Sequence, residues 1–559
     1  MHLLAADNLR LDVNLLDYGI LAVYLAVVVG IGVLARRSIA TSEDFFLAGR
    51  ALPAWVTGLA FISANLGAIE ILGMAANGAQ YGLSTVHFYW IGAVPAMVFL
   101  GLFMMPFYYS SRVHSVPEYL RRRFNNQTHF VNALSFAVAQ VLTAGVNLYA
   151  LSIVIRALLG WPQWVAIVVS AAFVLAYITL GGLSGAVYNE VLQFFVILAG
   201  LIPLVVIGLS KVGGWGGLQE KVNQPDFFST WSGTQAGGWS NPLGDWIGIV
   251  FGLGFALSFG YWTTNFAEVQ RALAAKDLSA ARRTPLIGAI PKIFIPALTI
   301  VPGLLAIALV PSFRGPDPEY NNAIPLLMRD LLPNGVLGVA LTGLLAAFMA
   351  GMAANVSGFN TVFTYDLWRP YVVRGRSDSY YLRIGRLVTV AGVVIGIGTA
   401  FIAASFNNIM NYIQELFSYF NAPLFGVFIL ALFWKRASPW AGFYGLLSGI
   451  LGAFLFHQIG PDIDYFRAGQ AAGGEVNAQM VNFYSAIAAI VVAWVVMVVV
   501  TLVTPPKPRE ELVGLVWGLP DPNGPDVEAA KVKGPWWQSP ALLGYGALAI
   551  TIVLSLIYI

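Results

Sequence analysis

The sequence contains no cysteine at all, and only 10% of its 559 residues are charged. Without cysteine there is no disulfide, no thiolate metal site and no cysteine nucleophile. A soluble domain carries about 25% charged residues, so the chain has too little charge to cover a water-facing surface of its size. Histidine is sparse as well: the five (His2, His87, His114, His129 and His457) are scattered, and none belongs to an H-E-x-x-H zinc helix. There is no G-x-x-x-x-G-K-[ST] loop, which argues against ATP as an energy source. No catalytic constellation emerges, so the chain does not read as an enzyme, and no cofactor is expected. The net charge of +3 comes from basic residues spread over loops, which gives no footprint for a nucleic acid.

What fills the sequence instead is apolar. Hydrophobic residues make up 58% and the mean hydropathy is +0.74, which places the chain among all-α polytopic membrane proteins. About fourteen transmembrane helices are expected, near 16–35, 53–80, 86–108, 128–155, 163–181, 186–209, 244–268, 285–312, 334–366, 387–404, 407–433, 438–458, 479–503 and 539–559. The first run has no basic stretch ahead of it and Arg36-Arg37 behind it, which predicts a retained span with its N-terminus outside. With that orientation, alternate loops place 22 Lys and Arg inside and 7 outside, and Lys292 falls within a span. The asymmetry supports a multi-pass protein of the inner or plasma membrane with both termini outside. The longest loops, 210–243 outside and 504–538 inside, carry no hydrophobic pattern of a separate domain.

One span breaks the apolar pattern. Between Pro53 and Gly82 lies Ser63-Ala64-Asn65-Leu66-Gly67-Ala68-Ile69-Glu70. A carboxylate at mid-membrane costs about 2.5–3.5 kcal/mol on insertion scales, so Glu70 is expected to face protein or a water-filled cavity. Asn65 and Gly67 loosen the helix, and freed backbone carbonyls at that depth are tolerated only where they line a site. The stretch reads either as a packing helix with one polar cluster or as a broken helix that carries a solute or ion. Other polar residues at depth are Tyr89, Glu190, Tyr261, Thr263, Thr264, Asn265, Glu268, Lys292, Asn355, Gln414 and Glu415. Glu190 and Glu268 read as structural groups near the inner interface. Lys292 either snorkels inward or contacts a cavity.

Four stretches carry a family resemblance: SEDFFLAGRALPAW at 42–55, YITLGGLSGAVYNEVLQFFVILAG at 177–200, NFAEVQRALAAKD at 265–277 and NYIQELFSYFNAPLFGVFILALFWKR at 411–436. They are similar to the sodium:solute symporter family, and most of all to its sodium–sugar cotransporter branch. The resemblance runs roughly from 16 to 458. It implies a LeuT-like core of two inverted five-helix repeats, with alternating access around a midplane site. The division it suggests is an N-terminal extra span at 1–52, a first repeat at 53–209, an outside loop at 210–243, a second repeat at 244–436 and C-terminal extra spans at 437–559.

Carried over residue by residue, the resemblance gives Asn65, Tyr261, Lys292 and Gln414 as pocket asparagine, inner-gate tyrosine, pocket lysine and pocket glutamine. Elsewhere the chain departs from the family. Glu70 stands for a glutamine, Tyr89 for the sugar-binding glutamate, Gly92 for a serine and Ser258 for an asparagine. Glu70 could supply from a neighbouring wall the carboxylate that Tyr89 lacks. For the sodium ion, Ser63, Leu66 and Ala347 match the backbone-carbonyl ligands. The two serines expected three and four residues after Ala347 fall on Ala350 and Gly351, which carry no side-chain oxygen, so the sodium site reads as depleted. The expectation is therefore a symporter of a small polar solute, a sugar or polyol, with Na+ as coupling ion. The alternatives are a proton-coupled or uncoupled transporter of the same fold, or a membrane sensor or scaffold that does not transport.

Overall fold

The structure is a computed structural model, and it describes residues 10–36, 48–110, 115–315, 318–471, 473–519 and 538–557. Parts of the SEDFF motif and of the inside loop at 504–538 lie outside these residues, as do the side chains of 176–184. The described chain is helical, and its only strand-like contacts are two isolated bridges, Leu52 with Ala275 and Arg467 with Val476.

Fifteen helical segments carry the description that follows: α1 (Leu15–Arg36), α2 (Ala54–Asn65), α3 (Ile69–Val86), α4 (Phe88–Tyr109), α5 (Asn126–Leu159), α6 (Gln163–Val212), α7 (Gly248–Thr264), α8 (Phe266–Leu273), α9 (Leu278–Leu309), α10 (Val336–Val372), α11 (Asp378–Ala403), α12 (Ile409–Phe433), α13 (Pro439–Asp462), α14 (Ala478–Val503) and α15 (Pro540–Ile557). Among the described residues, eleven helices are long and apolar enough to cross a membrane, and twelve if α2 and α3 form one bent span. The other two expected spans fall on shorter apolar stretches, Gln163–Leu175 and Gly248–Thr264. The expected turn near residue 182 is instead part of the continuous helix α6, because the glycines there lower helix propensity without breaking the hydrogen-bond ladder.

Helix starts follow local chemistry. Asn125 caps α5 by accepting from Thr128 N at 2.9 Å, and Asp277 caps α9 by accepting from Ala280 N at 2.7 Å. Asn265 ends α7 and opens α8, accepting from Ala267 N at 3.0 Å. That single residue turns an apolar span into a short helix that carries Glu268 and Arg271.

The break expected near Asn65 is present, and α2 and α3 meet at 57°. Leu66 closes α2 with φ −72° and ψ 44°, outside helical values. The first turn of α3 is wide, a π-helical segment over Ile69–Gly73, a form that recurs at functional sites. The break is held in the middle of the protein: α2 packs on α6, α9 and α10, α3 packs on the second half of α9, and α10 also packs on α5.

Candidate functional site

Beside the break lies a small cavity lined by Asn65, Ile69, Glu70, Met74, Phe88, Tyr89, Ala93, Leu257, Ser258, Tyr261, Trp262, Lys292, Met410, Gln414 and Phe417. All six residues expected at the solute pocket are in this lining, although they come from six elements and from positions as far apart as 65 and 414. The cavity measures about 60 Å³. That is room for roughly four waters, so a solute larger than a few waters must displace side chains to enter.

Lys292 is the hub. It lies on α9 just after Pro291, and its side chain is only 2% exposed. It therefore contacts the cavity and does not snorkel. Its ammonium is 2.8 Å from Glu70 Oε1 and donates a short hydrogen bond to Asn65 Oδ1. It also lies 5.0 Å from the ring centroids of both Tyr89 and Trp262. A dehydrated cation is stabilised by a carboxylate, an amide oxygen and the faces of two aromatic rings. Glu70 is thus not an isolated mid-membrane carboxylate but half of an ion pair.

A second chain of contacts leads toward α8. Asn65 Nδ2 donates to Tyr261 OH at 3.0 Å, and that hydroxyl donates to Glu268 Oε1 at 2.7 Å. The Tyr261 ring stacks on Phe417 at 4.8 Å. Asn65 therefore joins the lysine on one side to the tyrosine and Glu268 on the other. Glu268, expected near the inner interface as a structural group, is 2% exposed and completes this chain. The sequence carries part of the signal: Asn265, three residues ahead of Glu268, predicts a helix start there. Glu190 is likewise fully buried, and it pairs with Arg271.

The remaining lining residues show what the departures from the family do. Tyr89 bonds Thr299 at 2.7 Å and offers the cavity its ring. A Cβ at position 92 would sit 2.3 Å from Ser258 Oγ. Gly92 thus makes room for Ser258, and the two substitutions compensate in shape. Gln414 is 5% exposed, its Nε2 reaches only the soft acceptor Met410 Sδ at 3.3 Å, and its Oε1 has no partner. An amide left this unsatisfied at membrane depth has hydrogen-bonding capacity for a solute.

At the break, the three positions expected to offer carbonyls are all buried: Ser63, Leu66 and Ala347. Ala350 and Gly351 are also buried, and neither brings an oxygen from its side chain. Ser63 Oγ has no hydrogen-bond partner.

A broken membrane helix beside a buried, amphoteric cavity defines a secondary transporter of the LeuT-like type, not an enzyme. The chain belongs to the sodium:solute symporter family, whose model matches residues 45–449. It is 29% identical to sodium/glucose cotransporter 4 of Homo sapiens over 92% of this chain and 79% of that protein. It is 27% identical to the sodium/glucose cotransporter of Vibrio parahaemolyticus, over 79% of this chain and 85% of that one. With sodium/myo-inositol cotransporter 2 of Oryctolagus cuniculus the identity is 28%, covering 94% and 82%. Among solved structures, a Na+-coupled sialic acid symporter in a substrate-bound outward-open state has the same fold. Its TM-score is 0.74 at 19% identity, covering 88% of this chain and 99% of that one. A nucleobase-cation-symport-1 family transporter shares the fold more distantly, with a TM-score of 0.51 at 14% identity.

Proposed function

We propose that this protein is a sodium-coupled symporter of a small polyhydroxylated solute, a sugar or polyol, bound among Asn65, Glu70, Tyr89, Tyr261, Lys292 and Gln414. The observation that carries this reading is the composition of the cavity: an ion pair, two amides and a hydroxyl face one another between the rings of Tyr89, Trp262 and Phe417. Adjacent hydroxyls on a carbon frame need alternating donors and acceptors with apolar faces between them, and such a set rejects solutes that leave its members unpaired. The relatives named for glucose and inositol transport support the same class of solute. The pairing of Glu70 with Lys292 favours a role in holding the solute over a role as a lone proton carrier.

The test is counterflow of radiolabelled hexoses and cyclic polyols in proteoliposomes. Gln414→Ala is expected to raise the half-saturating concentration at least tenfold, as the loss of about 1.5 kcal/mol of hydrogen bonding would. It should leave the elution profile of the purified protein unchanged, since water can replace the amide. Parent-like counterflow in this variant would place the solute elsewhere.

The proposed organisation is two inverted repeats, 53–209 and 244–436, in an inner or plasma membrane with both termini outside. Native sequence without cysteine permits a clean check of orientation. Ala236→Cys and Ser377→Cys fall at exposed positions, in loops proposed to lie outside and inside. An impermeant maleimide applied to whole cells should label the first and not the second. The reverse pattern would invert the arrangement.

A further inference from the structure

The shortage of oxygens at positions 350 and 351 has a counterpart on a different helix. Asn147 lies on α5, is 1% exposed, and sends its side chain into the wedge between the break and α10. Its Oδ1 accepts from Ala68 N, within the break, at 3.1 Å, and its Nδ2 donates to Thr143 O in its own helix at 3.3 Å. The two bonds fix the amide with its oxygen toward the break.

Two glycines make this placement possible. A Cβ at Gly351 would lie 2.5 Å from Asn147 Oδ1 and 3.1 Å from Gly67 Cα. A Cβ at Gly67 would lie 2.9 Å from the same oxygen, with Ala347 O at 3.8 Å. Asn147 Oδ1 therefore occupies the space into which a side chain at 351 would project. A serine there and the amide exclude each other.

We propose that Asn147 supplies, from α5, the sodium-binding oxygen that Ala350 and Gly351 lack, so that the cation seat is rebuilt rather than lost. This rests on the reading of the chain as a sodium-coupled symporter. An amide carbonyl is an uncharged hard ligand, of the kind asparagine supplies to Ca2+. Its oxygen has two acceptor positions, and Ala68 N uses one. The positions that the resemblance gives for carbonyl ligands flank the same break: Ser63 and Leu66 lie at the end of α2, Ala347 O is 3.8 Å from where a Cβ at Gly67 would be, and the buried hydroxyl of Ser63 has no partner. The amide thus restores one side-chain oxygen beside Gly67 and Gly351, where the resemblance places the serine hydroxyls. Held by two hydrogen bonds between two glycines, the amide needs no reordering when the ion arrives.

Binding of 22Na+ to the purified full-length protein, without solute and with choline chloride holding the ionic strength constant, tests the proposal. The parent should bind sodium saturably. Asn147→Ala should weaken that binding at least tenfold, and Asn147→Ala/Gly351→Ser, which returns an oxygen from α10, should recover most of it. Elution profiles report folding, and the recovery shows that a loss in the single variant is not misfolding. Sodium binding in Asn147→Ala equal to the parent would overturn the proposal. So would a parent that performs solute counterflow yet binds no sodium, which would leave the amide as a brace between helices. Absence of counterflow with sodium binding intact would instead count against the proposed solute and leave the role of Asn147 standing.

Discussion

Lys292→Met should abolish solute binding and destabilise the protein, and adding Glu70→Gln should restore the stability but not the binding. Both side chains are nearly sealed, 2% and 9% exposed, with the charges 2.8 Å apart. Removing the ammonium leaves a carboxylate without its counter-charge at a depth where water is scarce. Breaking a buried pair from one side costs about 3–5 kcal/mol, whereas replacing both members with neutral groups of similar size is often neutral. The double variant should therefore unfold at nearly the parent temperature in detergent. It has nonetheless lost the cation that organises Asn65 and faces Tyr89 and Trp262, so counterflow should stay at background. A single variant as stable as the parent would mean that Glu70 is solvated or protonated in the resting protein. A double variant that transports would remove the pair from the recognition site.

Most of the apolar runs were legible in the sequence because each is local, though the expected separation of 163–181 from 186–209 is not seen in the continuous helix α6. The break was legible too, since Asn65, Gly67 and Glu70 sit together in an otherwise apolar stretch. Lys292 stood out for the same reason, as one cation in an apolar run, whereas Gln414, beside Glu415 in a helix with several polar residues, was singled out by the family resemblance. What sequence alone could not show were the relations between distant helices. The sequence shows that Glu70 must face protein or a cavity but not which group meets it, and Lys292 lies more than two hundred positions away. Asn147 drew no attention because an asparagine in a long helix is unremarkable until Gly67 and Gly351 are found on either side of it. Glycine is a poor sequence signal for a site, since it contributes only the space that another residue fills.

The second large effect is expected where Arg271 of α8 meets Glu190 of α6. Both are sealed from solvent, at 0% and 1% exposure. The guanidinium engages both carboxylate oxygens, with a short bond from Nη2 and a 3.3 Å bond from Nε, and Nη1 also donates to Ala267 O at 2.7 Å. Arg271→Ala strands a buried carboxylate, and a loss of about 3–5 kcal/mol follows. Arg271→Lys keeps the charge but not the planar fork, so its stability should fall between the alanine variant and the parent. Arg271→Met/Glu190→Leu removes both charges and should regain most of the stability. The pair joins the two proposed repeats, so the double variant also reports whether the contact moves. A pair that holds through the cycle predicts parent-like counterflow rates once folding is restored. A pair that parts in every cycle predicts changed rates in that stable double variant, because the cost of separating two buried charges has been removed from one half of the cycle. The four hydrogen bonds of the guanidinium, to Glu190, Ala267 and Gln270, favour the fixed contact. Counterflow in the double variant within about threefold of the parent, a difference of about 0.7 kcal/mol, is the expected result.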